Sequence, residues 1–201
     1  DPPMIDFFEM IRFAANVQDW LSLSEYIYDP DFQNVTIQLA SHSLLNTSIE
    51  DDVMNILPME GSIGTQELDF CVEDEDGNIS EGSAYVEIVE PYNGEIALVN
   101  GWNWISCGWG SNHYQLEYIL NPLGNTADYL KGQSSFSNYQ EPFGWFGSMT
   151  EIDPTQLLIV HLLEDIPFTW SGWDISDSVI NIQAGWNWIS FLGLNDMATN
   201  D

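Results

Sequence analysis

Two stretches of this chain, "QELDFCVEDEDG" and "GSAYVEIVEP", alternate apolar and polar residues with a period of two. The first sets Leu68, Phe70 and Val72 against Asp69, Cys71 and Glu73; the second sets Ala84, Val86 and Ile88 against Tyr85, Glu87 and Val89. Successive side chains on a strand point to opposite sides, so this period predicts strands with one buried face. "NVTIQLAS" repeats the pattern through Val35, Ile37 and Leu39. Gly, Pro, Asn and Asp punctuate the runs, and Gly77 in "EDEDGN" supplies the backbone freedom of a tight reversal. Helical periodicity is confined to short turns within "LEYILNPLGNTADYLKGQSSFSNY". The pattern is that of an all-β protein built as two tandem β-sandwich-like domains.

The segment "VEPYNGE" (Val89 to Glu95) reads as a linker, and composition shifts across it. Residues 1–92 hold 20 acidic residues and one tryptophan, Trp20; residues 93–201 hold 12 acidic residues and eight tryptophans. A boundary near residue 93 follows, giving domains 1–92 and 93–201. The second domain opens with a predicted strand, "EIALVNGWNWIS", and closes with another, "SVINIQAGWNWISF". Between them, the apolar run "TQLLIVHLLED" fits a buried strand or a short helix by periodicity alone, and the Pro-bearing turn before it favours the strand.

The hexapeptide "GWNWIS" therefore occurs twice, at Gly101–Ser106 and at Gly185–Ser190. On a strand, Trp102 and Trp104 share one face while Asn103 and Ile105 share the other. Paired indoles with polar neighbours can stack on sugar rings, which makes Trp102, Trp104, Trp145, Trp186 and Trp188 a candidate carbohydrate site. The competing reading is structural: the rings close a core or seal a sheet edge. Repetition at both ends of one module favours the structural part made twice. Trp109, Trp170 and Trp173 extend the pool of aromatic candidates.

The formal charge of −30 comes from 32 acidic residues against two basic ones, Arg12 and Lys131. Such a surface repels phosphate backbones and anionic headgroups, which argues against nucleic-acid partners and membrane-surface roles. It attracts divalent cations, and it suits a salty environment equally well. No apolar run reaches the roughly 18 residues of a membrane span. His42, His113 and His161 are scattered, no nucleophile elbow or phosphate loop is present, and catalysis is not expected. His161, inside an apolar run, is read as a satisfied core residue. Cys107 is read as a small buried thiol, and the sequence leaves open whether it bridges to Cys71. Sequons at Asn34, Asn46 and Asn78 are read as incidental.

Residues 3 to 90, through "IRFAANVQDWLSLSEYIYDPDFQNVTIQL" and "LDFCVEDEDGNISEGSAYVEIVE", resemble the cadherin-like, immunoglobulin-like modules of large bacterial surface proteins. Residues 96 to 192 resemble a repeat found near the C-termini of very large secreted bacterial proteins. "GWNWIS", "YLKGQSSFSNY", "GWFGSMTEIDP" and the returning "GWNWIS" carry that likeness in order, and "TQLLIVHLL" departs from it. The resemblance implies an extracellular or cell-surface location and a role as spacer or attachment unit, without catalysis.

It also places two acidic turns where such modules hold stiffening calcium. "DPDFQN" offers Asp29, Asp31 and Asn34, and "DEDGN" offers Asp74, Asp76 and Asn78. Calcium takes six to eight oxygen ligands, and D-x-D spacing aims alternate oxygens to one side. Ordinary turns use the same residues. The functional expectation is a non-catalytic extracellular structural or adhesion protein. Its partners are copies of itself, joined head-to-tail by exchange of the segment Ile180 to Phe191, or other surface proteins. The alternative is a carbohydrate-binding module, with polysaccharide as partner, attached to a larger secreted enzyme.

Overall fold

The computed structural model describes residues 1–7 and 10–192. The chain divides into two compact units, Asp1–Pro91 and Tyr92–Asp201. Both are all-β. Among the described residues no helix is long and apolar enough to cross a membrane.

The first unit is built from β1 (Met4–Ile5), β2 (Ile11–Ala14), β3 (Asp19–Ser22), β4 (Ile27–Tyr28), β5 (Val35–Leu39), β6 (Leu45–Glu50), β7 (Val53–Pro58), β8 (Gly64–Asp74) and β9 (Ile79–Val89). One sheet has the order β2-β9-β8-β5, with β2 and β9 parallel; a second has the order β3-β7-β6. The small pair β1-β4 lies outside both. Leu68, Phe70 and Val72 of β8 and Ala84, Val86 and Ile88 of β9 are all buried, so the period-two reading holds strand by strand. They meet Leu21, Leu45, Met54 and Ile56 from the other sheet in one core. β6 and β7 join through Asp51 and Asp52, both in the left-handed region (φ 47° and 61°), as a two-residue hairpin of this twist requires.

The second unit contains β10 (Tyr92–Leu98), β11 (Gly101–Ser106), β12 (Trp109–Gly110), α1 (Leu116–Ile119), β13 (Ala127–Lys131), β14 (Phe136–Gln140), β15 (Gly144–Gly147), β16 (Leu157–Leu162) and β17 (Ile166–Asp174). A three-stranded sheet, β10-β17-β12, faces a five-stranded sheet, β11-β16-β13-β14-β15. Their shared core includes Ile105, Leu130, Leu158 and Val160 from the larger sheet and Trp109 and Phe168 from the smaller. Leu116, Ile119 and Leu123, from α1 and the 3-10 turn Asn121–Thr126, complete it. "TQLLIVHLL" is indeed a strand, β16, inside the larger sheet between β11 and β13.

Two expectations for this unit are corrected. "EIALVNGWNWIS" is two strands, because Gly101 at φ 92° turns the chain between β10 and β11. "SVINIQAGWNWISF" is not a regular strand; its one ladder contact is an isolated bridge from Ile189 to Gln156. The segment folds back on its own domain, where Ser190 Oγ and Ser106 Oγ lie 2.5 Å apart and the Phe191 amide donates to Ser106 Oγ at 2.7 Å.

Candidate functional site

The two hexapeptides share one local structure, and asparagine makes it. The Asn103 side-chain amide donates to the carbonyls of Val99 (2.7 Å) and Gly101 (3.0 Å), while its oxygen accepts from the Val99 amide (3.0 Å). The Asn187 side-chain amide donates to Gln183 (2.8 Å) and Gly185 (3.1 Å), and its oxygen accepts from the Gln183 amide (2.9 Å). Each closes a turn whose glycine lies at positive φ, 92° in Gly101 and 103° in Gly185, where a side chain would be strained. The repeat is thus one structural part made twice.

The tryptophans lie elsewhere, and the expectation that they close a core is corrected for Trp102, Trp104 and Trp186. Trp102 and Trp104 are 60% and 61% exposed, and Trp186 is 91% exposed. Asn103 and Ile105 face inward, with Ile105 wholly buried, so alternation along β11 sends both indoles outward. Leaving two such rings in water forgoes on the order of 3 kcal/mol of burial each.

The sheet register shows what surrounds them. Trp102 lies opposite His161, which lies opposite Tyr129, then Asn138, then Phe146. Trp104 heads a second row through Ile159, Lys131 and Phe136. Directly paired residues share a face, so these two rows form the outer surface of the five-stranded sheet. Trp102 meets Tyr129 edge-on (5.7 Å, 81°) and His161 at 4.8 Å, while Tyr129 and Phe136 are near-parallel at 6.1 Å. Trp188 joins from the second hexapeptide, its ring 5.4 Å from Trp104 and tilted by 52°. The Lys131 ammonium stands 5.8 Å from the centre of the Trp188 ring. Gln133 fixes this approach: its side-chain amide donates to the Trp186 carbonyl at 2.7 Å, and its oxygen accepts from the Trp188 amide at 2.7 Å.

Of the five tryptophans singled out from sequence, Trp102, Trp104 and Trp188 come together on this face. Trp186 points into solvent beside them. Trp145 does not join: it pairs with Tyr139 on the opposite side of the sheet and packs on the core. His161 is corrected from a core residue to a member of the outer face, its Nδ1 2.6 Å from Asp128 Oδ1. Sequence reading missed Tyr129, Lys131, Phe136 and His161. The signal lay in "DYLKGQSSFSNY", where Tyr129 and Lys131 alternate into a reversal and Phe136 and Asn138 alternate out of it.

The two acidic turns of the first unit lie side by side, since Val35 pairs with Asp74. Asp29 Oδ1 accepts from the amides of Asp31 (2.8 Å) and Gln33 (3.2 Å). Asp74 Oδ1 accepts from Asp76 (2.9 Å) and Asn78 (2.8 Å), and its Oδ2 accepts from the Asn78 side chain (2.7 Å). Burial pulls the Asp74 carboxyl upward, but these amide donors outweigh it and hold the group below its usual range. Gln33 donates to Asp76 and Asn34 to Glu75, at 2.8 and 2.6 Å, tying the turns together. The leading carboxylates thus serve the turns first. Among the described residues, no three His, Cys, Asp or Glu side chains converge as a metal centre.

Cys71 and Cys107 are both free thiols. Burial pushes Cys107 up to about 12, so it is an inert core residue.

No family model matches the chain, and no curated protein matches it. Among solved structures it is similar to an endo-fucoidan hydrolase of glycoside hydrolase family 107, MfFcnA4, at 13% identity and a TM-score of 0.35, covering 84% of this chain and 28% of that one. A second hydrolase of that family, MfFcnA9, gives 12% identity and a TM-score of 0.34 over 86% of this chain and 34% of its own. The Bacteroides ovatus mixed-linkage glucan utilization protein SGBP-B, in complex with a heptasaccharide, gives 14% and 0.30 over 83% and 47%. The chain spans less than half the length of each. At these TM-scores the likeness carries no argument about activity or ligand.

Proposed function

We propose that this chain is a non-catalytic glycan-binding protein of the cell surface or extracellular space, and that the outer face of the five-stranded sheet is its binding surface. One observation carries the reading: exposed Trp102, Trp104 and Phe136, with half-buried Tyr129 and Trp188 packed against them, form an aromatic surface on the outer face of the sheet that the fold does not use as core. Contiguous exposed apolar surface of this kind marks an interaction site. A pyranose offers an apolar face of C–H groups to such rings, and its rim of hydroxyls needs hydrogen-bonding neighbours. Lys131, Asn138 and His161 stand among the rings in that capacity. Rings inclined by 52° and 81° to one another make a corrugated surface, which fits a single twisted polysaccharide chain better than a flat crystalline one.

The test is affinity electrophoresis and calorimetry against a panel of soluble polysaccharides. Trp102→Ala and Trp104→Ala each weaken binding about tenfold, as the loss of one stacked ring does. Both variants stay folded with only a small fall in melting temperature, because both side chains are more than half exposed. Unchanged affinity in the double variant, or failure of every polysaccharide to bind, overturns the reading.

Calcium belongs to the same proposal at one place. Asp29 is 5% exposed, and its Oδ2, like Gln33 Oε1, is buried with no hydrogen-bond partner. Two unpaired oxygens on one acidic turn are what a hard cation takes up.

A further inference from the structure

The second unit has a concave site on the opposite side of the five-stranded sheet from the aromatic surface. It is a groove of about 300 Å³ between the β14–β15 edge and the turn that follows α1. Tyr139, Phe143 and Trp145 supply three rings, and Glu117 and Asn121 supply the polar groups. Tyr139 and Trp145 meet edge to face at 5.4 Å and 65°, so they present surfaces at an angle to each other. Gly144, at φ 82°, leaves the floor open, and Glu117 Oε1 lies 4.0 Å from where a side chain there would begin.

Ring faces carry negative quadrupole potential, and a carboxylate beside them adds a full negative charge. The lining contains neither Lys nor Arg. The field of a chain with net charge −30 concentrates cations at such a place. A neutral sugar uses the rings and donates hydroxyls to the carboxylate but brings no charge to pair with it; an anion is repelled. We infer that this groove binds an organic ammonium group, held between the rings of Tyr139, Phe143 and Trp145 and the carboxylate of Glu117. The volume fits one small cationic body, such as a quaternary amine or an amino sugar. The groove borders the far end of the outer row, where Phe143 meets Phe146 edge-on at 6.3 Å, and neither reading depends on the other.

The experiment is a nuclear magnetic resonance titration of the full chain at low salt with choline, choline's uncharged carbon isostere, glucosamine and glucose. Both ammonium compounds, or one of them, shift resonances of Trp145 and Tyr139 at millimolar concentration. Each uncharged counterpart binds about tenfold more weakly or not at all. Which cation binds tells a quaternary headgroup from an amino sugar. Glu117→Gln weakens the cation by a similar factor while Trp102→Ala leaves it unchanged. Phe143→Ala, at a ring 69% exposed and so spared by folding, weakens it as well. Equal binding of charged and uncharged partners, an unaffected Glu117→Gln variant, or no response to either ammonium overturns the inference.

Discussion

Asn103 and Asn187 show how one side chain can fix a backbone. Each satisfies two carbonyls and one amide within four residues of itself, which a turn otherwise leaves to water. Asn103→Ala hands those groups to water at the entrance to β11 and costs about 1 kcal/mol. Asn187 closes a turn that leads into no regular strand, so Asn187→Ala costs less; paired thermal melts read the difference. Asp74 works similarly through its carboxylate. Its folded value lies below the ordinary 3.8, so its contribution is present in full above that value and is lost as pH falls through the folded one. Asp74→Asn is therefore less stable than the parent at neutral pH, and the gap narrows in acid. Denaturant titrations at neutral and acid pH measure both, and a gap independent of pH rules the assignment out.

Glycine and tryptophan pair across the smaller sheet of the second unit. Gly94 lies opposite Trp170, and Gly110 opposite Trp173. Each indole covers bare backbone: a side chain begun at Gly94 would stand 2.1 Å from the Trp170 ring, and one at Gly110 1.9 Å from that of Trp173. Gly94→Ala or Gly110→Ala forces ring or strand aside and costs about 1–3 kcal/mol or more. Denaturant melts should show that loss in the second unit, with the first unchanged. These pairs were invisible in the sequence, because partners 63 to 76 positions apart are set by register alone. Local alternation was legible: β5, β8 and β9 follow from their own residues, whereas β16, apolar along almost its whole length, was read as a strand from the Pro-bearing turn before it. The outer aromatic surface was legible only in part. Trp102 and Trp104 declare a shared face by spacing, but period two does not say which face is wet. That is decided by Ile105 and its buried neighbours in other strands. Trp188 reaches the surface through Gln133, and no local pattern announces that contact.

Charge governs the behaviour of the chain in solution. Thirty-two acidic side chains oppose compaction by mutual repulsion, which is screened within about 8 Å at physiological ionic strength. Melting temperature should rise steadily with sodium chloride. Calcium, if it fills the Asp29 turn as proposed, adds a saturable increment above the matched ionic strength. Asp29→Asn removes that increment and leaves the general salt effect intact; an identical calcium response in the variant rejects the site. The two cations sit apart in their roles. Arg12 is held by Glu87 at 2.8 Å, whereas Lys131 emerges on the aromatic surface beside Trp188. With a single lysine in 201 residues, amine-directed reagents have one side-chain target, and it lies in the middle of the surface proposed to meet glycan. A dye or cross-linker placed there by ordinary coupling chemistry becomes a reporter at the point of contact, with no engineered handle needed.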